Sequence, residues 1–174
     1  MDIFEKVEKC RPGTELGVEK KDGRLLHKFV IDNGIKKVVE TGVCFGFSSS
    51  YFLDAVGDDG LVISIEPRLK PLKELVVPDS FHKRWIPIQN FSDYVLESIM
   101  KAYSPVDLFF HDSRHFIDTM TMEYTIADKY APRFIGSDDV DWPRSDQAWY
   151  KFLAKYGYRE VLKGSRFAIA EKRR

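Results

Sequence analysis

The run Lys37-Val38-Val39-Glu40-Thr41-Gly42-Val43-Cys44-Phe45-Gly46-Phe47-Ser48-Ser49 sets the architecture. Lys37 to Glu40 is a short β-rich segment that meets glycines at once. A helix is expected over residues 48–56, closed by Gly57-Asp58-Asp59-Gly60. A strand that feeds a glycine turn and then a helix opens a nucleotide-binding α/β unit. Working outward, further strands are expected at 61–65, 85–88, 106–110 and 134–136. Helices are expected at 69–76, 94–100 and 145–156, and from Phe116, where Phe116, Met120, Tyr124 and Ala127 step at helical spacing. Upstream, residues 14–34 read as helical, with Leu16, Leu25, Leu26, Phe29, Val30 and Ile31 as apolar positions and Asn33-Gly34 as the stop. Two final strands, 158–162 and 166–170, flank Lys163-Gly164 and form an edge hairpin. Alternating strands and helices predict an α/β, Rossmann-like, doubly wound and mostly parallel sheet with a C-terminal antiparallel edge hairpin. Residues 1–174 make one domain: an N-terminal helical segment over 1–35 and the core over 36–174.

Composition narrows the field. A chain of 174 residues, 44% hydrophobic and 31% charged, can bury a core of its own. A formal net charge of +0 supplies no global field for nucleic acid or an anionic membrane. The C-terminal Glu171-Lys172-Arg173-Arg174 reads as a solvated tail. Cys10 and Cys44 are too few and too far apart for a disulfide framework or a zinc site, so a cytoplasmic setting is expected. The first residues alternate in charge and form no apolar h-region, so a signal peptide is not expected, and no run approaches the roughly 18 residues of a membrane span.

In such a sheet the ligand sits beyond the carboxyl ends of the strands, where strand order reverses. The strands end in Glu40-Thr41-Gly42, Glu66, Gln89-Asn90, His111-Asp112 and Asp138-Asp139. Gly42 and Gly46 are four apart, so G-x-G-x-x-G is absent. An acid two positions before the first glycine suits a ligand with a cationic amine better than a diphosphate. S-adenosylmethionine carries an amine and a sulfonium and no phosphate. Glu66, ending the second strand, can accept hydrogen bonds from ribose hydroxyls, a device shared with NAD enzymes.

Asp112, Asp138 and Asp139 are expected to converge on the same sheet edge. Convergent carboxylates repel unless compensated. A hard divalent cation would compensate them, and oxygen-only donors favour Mg²⁺, Mn²⁺ or Ca²⁺ over zinc. Adjacent residues of a regular strand face opposite sides, so Asp138 and Asp139 can share an ion only where the strand is turning.

The run E-T-G-V-C-F-G-F-S at 40–48 resembles motif I of class I methyltransferases, closest to the branch written E-x-G-V-x-x-G-x-S; the more familiar pattern has glycine where Cys44 stands. D-S-R-H at 112–115 followed by S-D-D at 137–139 resembles the D-x-x-H and E-D pairs of the metal-dependent macrolide-sugar O-methyltransferases and their cephalosporin-biosynthesis relatives. The resemblance spans roughly residues 36–170. It implies an S-adenosylmethionine-dependent O-methyltransferase acting on a small hydroxylated molecule. Glu40, Gly42, Gly46, Ser48, Glu66 and Asn90 would be on the cofactor. Asp112, Asp138 and Asp139 would hold Mg²⁺ or Mn²⁺, and His115 would be the general base beside Asp112. His111 is the rival base. Asp141-Trp142-Pro143-Arg144 is expected in the substrate wall, and a neighbouring subunit of a homo-oligomer could complete so short a pocket.

Three other functions compete. A catalytically silent S-adenosylmethionine-binding protein would act through a partner and dispense with His115. An NAD enzyme would keep Glu66 but should carry G-x-G-x-x-G. A nucleic-acid methyltransferase is disfavoured by the charge and by the lack of an N/D-P-P-Y-type motif after the fourth strand.

Overall fold

The computed structural model describes residues 3–9, 20–143 and 145–173. Helix α1 spans Ile3–Lys9 and α2 Lys20–Asp32. Strand β1 (Lys37–Thr41) is followed by α3 (Phe47–Val56), β2 (Leu61–Ile65), β3 (Trp85–Ile88) and α4 (Ser92–Tyr103). Then come β4 (Leu108–His111), α5 (Ile117–Lys129), β5 (Phe134–Ser137), α6 (Ser145–Tyr156), β6 (Tyr158–Lys163) and β7 (Ala168–Lys172). Residues 14–19 of the expected first helix, Leu16 among them, lie outside the described residues, as do Cys10, Arg144 and Arg174.

The seven strands are ordered β3-β2-β1-β4-β5-β7-β6. The first five are parallel, and β7 runs antiparallel to both β5 and β6. This is the expected doubly wound sheet with its C-terminal hairpin. The last strand in sequence lies inside the sheet, and β6 forms the edge.

Side-chain alternation along the strands feeds two cores. Val38, Val62, Leu108, Phe110, Phe134 and Ile169 pack with α1, α2 and α3 on one face. Val39, Ile63, Phe109, Ile135 and Ala168 pack with α4, α5 and α6 on the other. Each face is thus covered by helices, which is why β1, β2, β4 and β5 are buried along almost their whole length.

Two local expectations change. The helix expected at 69–76 is a single 3₁₀ turn, Leu72–Glu74. Pro67, Pro71 and Pro78 surround it, and proline lacks the N–H that would extend a helix. The final strand begins at Ala168, so Arg166 stands in the connection before it.

Strand order reverses between β1 and β4. Their carboxyl ends extend as a matched rim: Asp112 N–H donates to Thr41 O (2.8 Å), Gly42 N–H to Ile65 O (2.8 Å) and Asp138 N–H to His111 O (2.8 Å).

Candidate active site

A cavity of about 700 Å³ opens over this rim. Its β1–β2 side is formed by Gly42, Cys44, Ile65, Glu66 and Pro67, with Phe91 beside them. Its opposite side carries Asp112, His115, Asp138, Asp139, Trp142 and Arg166.

The glycine loop works through its backbone. Gly42 has φ 91°, and a Cβ there would meet the carbonyl oxygen of Asp112 at 1.9 Å, so only glycine allows the loop to lie against β4. Gly46, also at positive φ, lies against Val77, whose methyl a Cβ would meet at 2.7 Å, and faces that packing rather than the cavity. Cys44 takes φ 50°, the conformation that a glycine would hold without strain.

Of the residues expected on the cofactor, Gly42 and Glu66 line the cavity; Glu40, Gly46, Ser48 and Asn90 do not. Glu66 accepts hydrogen bonds from the backbone N–H groups of Val43 (3.1 Å) and Arg68 (2.9 Å), which fix its carboxylate at the end of β2. Glu40 is wholly buried and accepts from the hydroxyls of Ser48 (2.9 Å), Ser49 and Ser64 (2.6 Å). Burial raises its carboxyl to about 7 against the pull of those three hydroxyls. Glu40 therefore ties β1, α3 and β2 together beneath the loop. Asn90 turns back on the chain, its side-chain oxygen accepting from Phe91 N–H (2.8 Å).

On the other side the three aspartates come together. β5 ends at Ser137, and Asp139 has φ 52°, so the chain is already turning where the two acids stand side by side. That resolves the alternation of a regular strand. Burial, followed by the charges of Asp138, Glu40 and Asp139, raises Asp112 well above the usual carboxylate range. Burial and Asp139 raise Asp138 to about 7. Asp139 is ion-paired to Arg166, and His115 Nε2 lies 3.6 Å from its other oxygen.

His115 lines the cavity, and its buried Nε2 has no hydrogen-bond partner among the described residues. Burial first, then His111, lowers it to about 4, so its imidazole is neutral at neutral pH and can accept a proton. Loss of a neutral base is therefore expected well below the ordinary imidazole range. Trp142 stands at the mouth, its ring centroid 6.2 Å from that of His115.

His111 does not line the cavity. It is fully buried, and its Nδ1 lies 2.6 Å from Glu123, a carboxylate that also accepts from Thr41 (2.6 Å) and Ser113 (2.8 Å). Burial pushes the Glu123 carboxyl up, but His111, helped by the hydroxyls of Ser92 and Thr41, outweighs it and holds the group below its usual range. Glu123 and Arg166 were not singled out in the sequence. The available signals were an acid inside the apolar stripe of α5 and a cation at the start of the apolar run Phe167-Ala168-Ile169-Ala170.

The model of a family described as a methyltransferase domain matches residues 39–133, more than half of the chain. No curated protein matches it. Among solved structures, an O-methyltransferase from Bacillus cereus in complex with SAH superposes with a TM-score of 0.72 at 16% identity, covering 98% of this chain and 90% of that one. The O-methyltransferase TomG from Streptomyces achromogenes, involved in tomaymycin synthesis and solved with SAM, gives 0.71 at 16% identity over 99% of this chain and 90% of its own. SAH-bound methyltransferase PaMTH1 from Podospora anserina gives 0.71 at 15% identity over 99% and 88%. At such identities the superpositions establish a shared fold.

Proposed function

The chain belongs to the methyltransferase-domain family whose model it matches, and from that premise we propose that it transfers the methyl group of S-adenosylmethionine to a hydroxyl oxygen of a small molecule. The observation that carries this reading is one cavity in which Gly42 and Glu66 face His115 and the acidic cluster across the point where strand order reverses. The adenosyl ligand lies against the β1 loop, which Gly42 seats against Asp112, and Glu66 accepts from the ribose hydroxyls. The acceptor enters on the side of His115 and Trp142. Its hydroxyl oxygen attacks the methyl carbon in line as the carbon–sulfur bond breaks. The hydroxyl proton passes to His115, and S-adenosylhomocysteine leaves. Most of the rate would come from positioning and from charge placed around the developing oxyanion.

The divalent ion implied by the resemblance does not fit the cluster as it stands. Asp139 is held by Arg166, and the described residues contain no group of three or more His, Cys, Asp or Glu disposed to hold a metal ion.

A thermal-shift comparison of S-adenosylhomocysteine with NAD tests the reading. A ligand that binds only the folded chain stabilises it by about 2.7 kcal/mol at 100 times its dissociation constant. S-adenosylhomocysteine should shift the melt and NAD should not; the reverse result would end the methyl-transfer reading.

A further inference from the structure

We infer that Arg166 is the resident cation of the acidic cluster, so that the acceptor oxygen is oriented by a guanidinium in this chain instead of by a divalent metal. The inference rests on the methyl-transfer reading above. It starts from the register of β7. β5 and β7 are antiparallel with Ser137 opposite Ala168. Continued two residues past the end of β5, that register sets Asp139 opposite Arg166. The Val140 N–H donates to Arg166 O (2.8 Å), and the Arg166 guanidinium donates to Asp139 Oδ1.

The pair is built into the fold. Asp22, nearly inaccessible in the first turn of α2, accepts from the Ser165 N–H (3.0 Å), the Ser165 hydroxyl (2.6 Å) and the Arg166 N–H (3.2 Å). A Cβ at Gly164 would meet Phe167 at 2.1 Å and Asp22 at 2.8 Å, so the turn before Arg166 is pressed against that anchor. The backbone of Arg166 is thus fixed from one side and its side chain from the other. Its guanidinium lines the cavity beside His115.

Chemistry separates the two kinds of cation. A six-coordinate Mg²⁺ holds two neighbouring acceptor oxygens at once and drops their pKa. A guanidinium offers five N–H donors in a fixed plane and no open coordination position. One bond to Asp139 leaves donors for an acceptor oxygen, and a single oxygen suffices. The acceptor class that follows is a molecule presenting one hydroxyl, with no second oxygen required for chelation.

The test is a Mn²⁺ titration followed by electron paramagnetic resonance, which reads the free ion, with and without S-adenosylhomocysteine. The wild-type chain should leave the free-ion signal intact. Arg166→Met keeps the length of the stem and leaves Asp139 without its cation beside Asp112 and Asp138; it should take up Mn²⁺, and adding Asp139→Ala should abolish that uptake. Wild-type uptake that Asp139→Ala removes overturns the inference whatever the Arg166 variant does. An Arg166→Met chain that folds, takes up no Mn²⁺ and melts like wild type overturns it too, because the cluster would then need no cation. Absence of any melting shift with S-adenosylhomocysteine would instead sink the methyl-transfer reading, while the Mn²⁺ result without that ligand still reports on the cluster.

Discussion

On the β1–β2 side of the cavity the wall is shaped by a glycine turn, while the β4, β5 and β7 side is rich in charge. The first side is shaped by glycines at positive φ, and its one lining acid, Glu66, is fixed by neighbouring N–H groups. The second gathers three aspartates, a histidine and two arginines, Arg166 paired with Asp139 and Arg114 with Asp93. Backbone placement is set within a few residues of the glycines. Charge placement needs a compensating partner, because like charges at short range raise each other's pKa. That partner, Arg166, is 27 residues from Asp139.

The contrast would break most visibly at His115. If the charged side performs chemistry and the backbone side performs binding, His115→Ala should lower turnover by about 10² to 10⁴-fold, the usual contribution of a positioned base. Its affinity for S-adenosylhomocysteine should stay nearly unchanged. Steady-state kinetics and calorimetric titration on the same preparation decide this, and an equal loss in both would erase the division of labour.

Next in size is a pH effect from beneath the loop. Glu40 is raised to about 7 from 4.5 in the folded chain. Below the lower value both states are protonated. Between the two, the folded chain holds a proton that the unfolded chain has lost, so stability falls as pH rises, and above about 7 the loss is complete. The loss is at most about 3.5 kcal/mol, since one pKa unit corresponds to about 1.4 kcal/mol. Glu40→Gln should remove this slope, so that wild type loses stability relative to the variant between pH 5 and pH 8. Superimposable unfolding profiles at the two pH values would show that Glu40 does not carry its proton there.

The smallest expected effect sharpens the backbone side. Glu66→Ala should weaken S-adenosylhomocysteine about 10- to 100-fold, as expected for losing hydrogen bonds to a charged group. A value near unity would mean that the loop alone holds the ligand. A larger loss would point to collapse of the Val43 and Arg68 contacts that Glu66 also makes.

How far the site could be read beforehand follows the same divide. Gly42, Glu66 and the convergence of Asp112, Asp138 and Asp139 were legible because each stands at a strand end, and strand ends share one edge of a parallel sheet. Glu40 and Ser48 carry the right residue types, yet helix α3 starts so close to β1 that the serines meet Glu40 inside the fold. His111 and Glu123 are joined by the packing of α5 under β4, which no local pattern encodes.

By itself the sequence determined the strand–helix alternation, the glycine turn after β1 and the acids that finish β2, β4 and β5, because periodicity, turn chemistry and strand-end position are local properties of the chain. Only the tertiary structure decided which cation meets those acids. β7 enters the sheet antiparallel between β5 and β6, and an antiparallel strand begins where its neighbours end. That reversal carries Arg166, just before the start of β7, to Asp139, just past the end of β5, a meeting fixed by strand order and register.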